Sequence, residues 1–157
     1  MPAAPMIRED AVTNVSPSAL PYSPIDQLQL IEVLKAMTTQ NTQQARDYFA
    51  QKLAFVTGPH ELDGQLKRQE PITIVDVRLP SDYRAGHIPG AINIPQGKWH
   101  TLSGLSKDRT AVVYCYSQTC KLAAAAAVEF ASAGIPVVEM EGGFEAWVKN
   151  GLAVTTA

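Results

Sequence analysis

Residues 72–77 read Ile-Thr-Ile-Val-Asp-Val, a β-branched run broken by one charge near its end. A run this apolar predicts a strand buried on both faces, which happens where helices cover a parallel sheet. Three more short runs fit the same role: Ala91–Ile94, Ala111–Cys115 and Pro136–Met140. Between the last two lies a helical stretch, Lys121–Ala133, closed by Gly134 and Pro136. Its five alanines, 123–127, suit a helix that lies close on a sheet. A last helix covers 144–150 and stops at Asn150-Gly151. Strands alternating with helices predict an α/β fold with a mostly parallel sheet flanked by helices.

The part before Glu70 reads differently. Five of the eleven prolines fall in residues 1–24, and all ten glycines come at or after Gly58. Residues 1–23 have no apolar period and predict a flexible tail. Ser23 is a candidate helix cap with Pro24 at the first helical position, and Ile25, Leu28, Ile31, Leu34 and Met37 recur on one face. Thr38-Thr39-Gln40-Asn41 predicts a break, followed by a second helix over about 42–53 with Ala45, Tyr48, Phe49 and Leu53 inward. Ala54-Phe55-Val56 predicts a short strand, and Gly58-Pro59 opens a small helix through Leu62 and Leu66. The expected division is therefore a tail over 1–23, a helical extension over 24–56 and an α/β domain over 57–157. The stripe on the extension has to be covered, by the body of the same chain or by a second copy.

Composition excludes several classes. At 46% hydrophobic and 18% charged residues the chain is globular. A formal charge of -2 argues against nucleic acid as the main partner. Apolar runs fall short of the roughly 20 residues that span a bilayer. The start, Met-Pro-Ala-Ala-Pro-Met-Ile-Arg, lacks the basic and apolar regions of a secretory signal, so a cytoplasmic location is expected. Two cysteines cannot build a disulfide framework, and with His60, His87 and His100 they show no metal-ligand spacing, so no metal or cofactor is expected.

The chemistry concentrates in Tyr114-Cys115-Tyr116-Ser117-Gln118-Thr119-Cys120-Lys121, where a strand ends, a polar loop follows and a helix begins. Ligands bind at the carboxyl ends of strands in such sheets. If the loop curls round Cys115, its N–H groups and the next helix terminus converge on the sulfur, lower its pKa and make it a nucleophile. The competing reading is a small buried hydrophobe that ends a strand. Lys121, in the first helical turn, adds positive potential where the helix dipole disfavours it. Asp76 and Arg78 end another strand, and can either face the same crevice and orient an anion or pair to fix a loop. His87, before a Pro-Gly turn, is a general base or a hydrogen-bonding brace.

Val75-Asp76-Val77-Arg78, Tyr83-Arg84-Ala85-Gly86-His87-Ile88-Pro89-Gly90-Ala91-Ile92-Asn93-Ile94-Pro95, Tyr114-Cys115 and Gly142-Gly143-Phe144-Glu145-Ala146-Trp147 together resemble the rhodanese family of sulfurtransferases, over roughly 58–153. Met140 and Ala146 depart from the family's C-terminal signature, which favours an aromatic and a glutamate there. The resemblance implies a five-stranded, mainly parallel sheet with Cys115 ending its central strand. It also implies that Cys115 takes a sulfane sulfur from a donor such as thiosulfate, a polysulfide or a protein persulfide. Cys115 then holds it as a persulfide, and Tyr116, Ser117, Gln118, Thr119, Cys120 and Lys121 form the cradle, with Asp76 and Arg78 in support. The acceptor would be a small thiophilic anion or thiol, or a partner protein. Ser117 stands where thiosulfate-preferring members often carry a cation, and Gln118 where many carry glycine.

Other functions compete with sulfur transfer. A thiol phosphatase or arsenate reductase places an arginine six after the cysteine, where this chain has Lys121. A non-enzymatic rhodanese-like binding module commonly lacks the cysteine, which is present here. A thiol redox sensor would pair Cys115 with Cys120, against the plainer reading of Cys120 as a small residue under the helix start. No nucleic acid or membrane partner is expected, and the chain is read as a monomer or homodimer.

Overall fold

The computed structural model describes residues 26–157. The expected tail, and the expected cap with Ser23, Pro24 and Ile25, lie outside the described residues. Contacts divide the chain between Thr42 and Gln43.

The first helix, α1, runs unbroken over Gln27–Phe55 and crosses that division. The expected break at 38–41 is absent. Thr38 Oγ1 donates to the Leu34 carbonyl at 2.8 Å and Thr39 Oγ1 to the Lys35 carbonyl at 2.9 Å. Threonine hydroxyls that bond one turn back are satisfied inside the helix, so a polar stretch need not end it. In the first unit Leu28, Ile31, Leu34 and Met37 are exposed. In the second unit Tyr48, Phe49 and Leu53, expected to point inward, are exposed too, Leu53 at 83%. Both core clusters of the second unit are built without Tyr48, Phe49 and Leu53.

In the second unit α1 leads into β1 (Val56–Thr57), α2 (Pro59–Lys67), β2 (Ile72–Asp76), α3 (Pro80–Ala85) and β3 (Ile92–Asn93). A 3-10 turn (Trp99–Thr101), β4 (Thr110–Tyr114), α4 (Leu122–Ser132), β5 (Val137–Met140) and α5 (Gly143–Lys149) complete it. The expected strand at 54–56 is instead β1, because the helix carries on through Phe55. The α3 helix and the 3-10 turn had no clear sequence period, being too short to show one.

The sheet has five strands in the order β1-β5-β4-β2-β3, every pair parallel. The central strand is β4. Its residues alternate between two cores, as the period of a strand requires. Ala111, Val113 and Cys115 join Val75, Val77, Ala123, Ala126 and Phe130 on the α4 face. Val112 and Tyr114 join Leu62, Ile74, Ile88, Met140 and Trp147 on the opposite face. Ala123 and Ala126, buried against the sheet, account for the alanine run: their small side chains suit a helix lying close on strands. Among the described residues no helix is long and apolar enough to cross a membrane.

Candidate active site

The carboxyl end of β4 delivers Cys115 to the edge of the sheet, where it is only 2% exposed. The chain then turns through Tyr116, Ser117, Gln118, Thr119, Cys120 and Lys121 into α4, with Cys120 N–H donating to the Ser117 carbonyl at 3.1 Å. The start of α5 holds this loop from behind. Phe144 N–H donates to the Cys115 carbonyl at 2.8 Å and Glu145 N–H to the Tyr116 carbonyl at 2.9 Å. These are donors a helix N-terminus leaves unpaired.

Gly143 makes that clamp possible. Its φ is +63°, and a Cβ there would lie 2.6 Å from Ser117 N and 2.8 Å from the Cys115 carbonyl oxygen. Gly143→Ala should therefore push the loop off α5 and destabilise the body by about 1–3 kcal/mol, as overpacking does. A denaturant titration of the variant tests this. An unchanged midpoint would show that the loop and α5 are not clamped at this glycine.

A buried polar network braces the other side of the loop. The Asp76 carboxylate, fully buried, accepts from Arg78 Nε and Nη2, from the Arg78 backbone N–H and from the Tyr114 hydroxyl at 2.7 Å. Arg78 Nη2 also donates to the Gly86 carbonyl at 2.6 Å. Burial alone would lower the Arg78 pKa, but the hydrogen bonds and charge of Asp76 outweigh it and the pKa is raised. Burial, then the charge of Asp76, pushes the Tyr114 phenol up. The guanidinium is thus engaged by Asp76 and Gly86; it lies 3.9 Å over the Phe144 ring of α5 and 5.8 Å from the Tyr116 ring of the loop. Tyr116 completes the brace. Its hydroxyl donates to Asp82 at 2.6 Å and accepts the Leu79 N–H at 3.1 Å. His87 Nδ1 lies 2.8 Å from the Tyr83 carbonyl, and its ring stacks on Tyr83 at 3.9 Å.

The remaining loop side chains face outward or sideways. Ser117 Oγ lies 3.3 Å from Thr119 Oγ1. Gln118 donates to Glu141 at 3.3 Å, and Glu141 in turn pairs with Lys52 at 3.0 Å. Lys121 is exposed at the N-cap of α4.

The electrostatics of the sulfur differ from the sequence expectation. Burial pushes the Cys115 thiol up to about 11, helped by a hydrogen bond with Cys120. The Ala123 and Ser117 N–H groups pull the other way, as a cradle should, but they do not win for a sulfur at the bottom of the loop. Cys120 is half-buried and its pKa is lowered: burial raises it, and the hydrogen bond from Cys115 with the Leu122 and Tyr116 N–H groups overrides that. Cys120 packs against the apolar cluster that contains Cys115, whose sulfur lies 3.4 Å from the Cys120 carbonyl oxygen, a proximity that only the turn at 117–120 decides.

Sequence reasoning missed the Tyr116–Asp82 bond, the Tyr114–Asp76 bond and the close approach of Gly143. The one available signal was the Gly142-Gly143 pair, since two glycines before a helix mark a backbone that needs space.

A family model for the rhodanese-like domain matches residues 58–150. The chain belongs to the rhodanese-like domain family. Over 92 residues it is 41% identical to an HTH-type transcriptional regulator of Mycobacterium tuberculosis, a match covering 57% of this chain and 41% of that protein. The chain thus spans less than half the length of that relative. It is 32% identical over 97 residues to a sulfurtransferase of Allochromatium vinosum, covering 59% of this chain and 87% of the relative. A crystal structure of a Bacillus halodurans protein superposes with a TM-score of 0.68 at 36% identity, over 73% of this chain and 86% of the other. The Bacillus halodurans protein shares the fold described above.

Proposed function

We propose that this rhodanese-like domain is a sulfurtransferase that carries a sulfane sulfur as a persulfide on Cys115. The observation that carries the reading is the setting of Cys115: it ends the central strand, and the Ser117 and Ala123 N–H groups favour negative charge on its sulfur. The terminal sulfur of a persulfide is anionic at neutral pH, and fixed N–H dipoles stabilise such charge without reorganising. The sulfurtransferase name of the Allochromatium relative supports the same class. Transfer runs in two steps. The Cys115 thiolate attacks the outer sulfur of a donor and displaces the remainder; a thiol or thiophilic anion then takes the sulfur from the persulfide. The loop has no cation before Lys121, so an organic persulfide, with one charge on its sulfur, should load better than the dianion thiosulfate.

Intact mass after incubation with thiosulfate, inorganic polysulfide or cysteine persulfide tests this, on the wild type, the Cys115→Ser chain and the Cys120→Ala chain. The expected result is a one-sulfur gain on Cys115 in the Cys120→Ala chain and none in Cys115→Ser. No gain from any of the three donors, or a gain on Cys120 alone in the wild type, overturns the assignment.

A further inference from the structure

A sulfur carrier needs one cysteine, and this loop has two. Both are free thiols. Cys120 sits five residues on, and its side chain packs against the same apolar cluster that contains Cys115. The Cys115 sulfur lies 3.4 Å from the Cys120 carbonyl oxygen. That approach to the Cys120 backbone, with the Cys120 side chain packed on the same cluster, brings the two thiols into one pocket of the loop, and each shifts the ionisation of the other accordingly. Cys120 precedes α4 and belongs to no helix or strand, so no element of secondary structure fixes its side chain against the approach that a disulfide requires.

Building on the proposed function, we propose that Cys120 is a resolving cysteine whose sulfur attacks the inner sulfur of the Cys115 persulfide, closing a Cys115–Cys120 disulfide and expelling the outer sulfur as hydrosulfide. The Cys120 thiol loses its proton and forms the new S–S bond; the old S–S bond breaks; the outer sulfur leaves with that bond's electron pair and takes up the proton. The sulfane sulfur is reduced, and the two cysteine sulfurs are oxidised to the disulfide. No outside oxidant enters. A second cycle needs a dithiol reductant, which reopens the bridge by thiol–disulfide exchange.

Geometry selects the inner sulfur. Cys120 already lies beside the Cys115 sulfur, whereas the outer sulfur extends from it. An attack within one loop needs no diffusional encounter, because the reacting atoms are held together in advance, so it goes forward whenever no acceptor occupies the site. The lowered pKa of Cys120 adds to this, since a thiol that titrates nearer ambient pH is the better attacker. The site would then divide its sulfur between transfer, when an acceptor is present, and hydrosulfide release, when none is.

The test uses the full chain, reduced, freed of reductant and kept anaerobic, then mixed with inorganic polysulfide and quenched with an alkylating agent at intervals. In the wild type the expected product is a Cys115–Cys120 disulfide, found by mass as a chain that resists alkylation at both positions. Cys120→Ser and Cys120→Ala should instead hold an alkylated persulfide on Cys115 for at least about ten times longer. A second readout is the pH dependence of Cys115 alkylation without donor. It should move to lower pH in Cys120→Ala, because Cys120 raises the Cys115 pKa. A wild-type persulfide that lasts as long as in the variants overturns the proposal and leaves the sulfurtransferase reading standing. So does a disulfide that forms equally fast without polysulfide. If neither wild type nor variant takes up sulfur, both readings fall.

Discussion

Cys115→Ser should abolish sulfur transfer, with a loss of about a thousandfold or more, as found when the attacking atom of a covalent mechanism is removed. A hydroxyl at this position cannot accept and hold a sulfane sulfur. The fold should survive the change. Serine is close in size to cysteine, and its hydroxyl can donate to the Cys120 carbonyl, which already lies 3.4 Å from the Cys115 sulfur. Turnover with a polysulfide donor and a thiol acceptor, measured beside a thermal melt, separates chemistry from folding. Near-wild-type turnover in a folded Cys115→Ser chain would place the nucleophile elsewhere.

Asp76→Ala should destabilise the body by about 3–5 kcal/mol, the usual result of removing one partner of a buried ion pair. The change strands the Arg78 guanidinium, only 4% exposed, and leaves the Tyr114 hydroxyl without its acceptor. In a chain of this size that corresponds to about 10 °C or more in melting temperature. Arg78→Ala added to Asp76→Ala should cost much less than the two separate losses together, because the second removal takes away the stranded charge. Denaturant titration of both single variants and the double variant measures this. A cost under about 1 kcal/mol for Asp76→Ala would mean that the network does not hold β2, β4 and the loop after α3 together.

The strands that matter were legible because their physics is local. Ile72–Asp76 and Thr110–Tyr114 are mostly apolar, β-branched runs, and a sheet covered on both faces buries such runs. The helix α4 was equally plain, from its alanines and its Gly134 stop. The continuity of α1 was not legible. Whether Thr38 and Thr39 end a helix or bond back into it depends on side-chain hydrogen bonds that composition does not state.

The candidate site divides in the same way. A cysteine at the end of an apolar run, followed by a polar loop and a helix, is a pattern of neighbours in the chain, so sequence by itself determined that Cys115 stands at the carboxyl edge of a parallel sheet. Tertiary structure alone decided what surrounds its sulfur. Gly143, far along the chain, sets how closely α5 holds the loop. Asp76 engages Arg78, and Asp82 engages Tyr116, so both serve as braces. The balance between burial and backbone N–H groups places the Cys115 thiol at about 11 rather than below its ordinary value. Desolvation depends on every atom packed around a group, wherever in the chain it comes from, and no spacing of residues carries that sum.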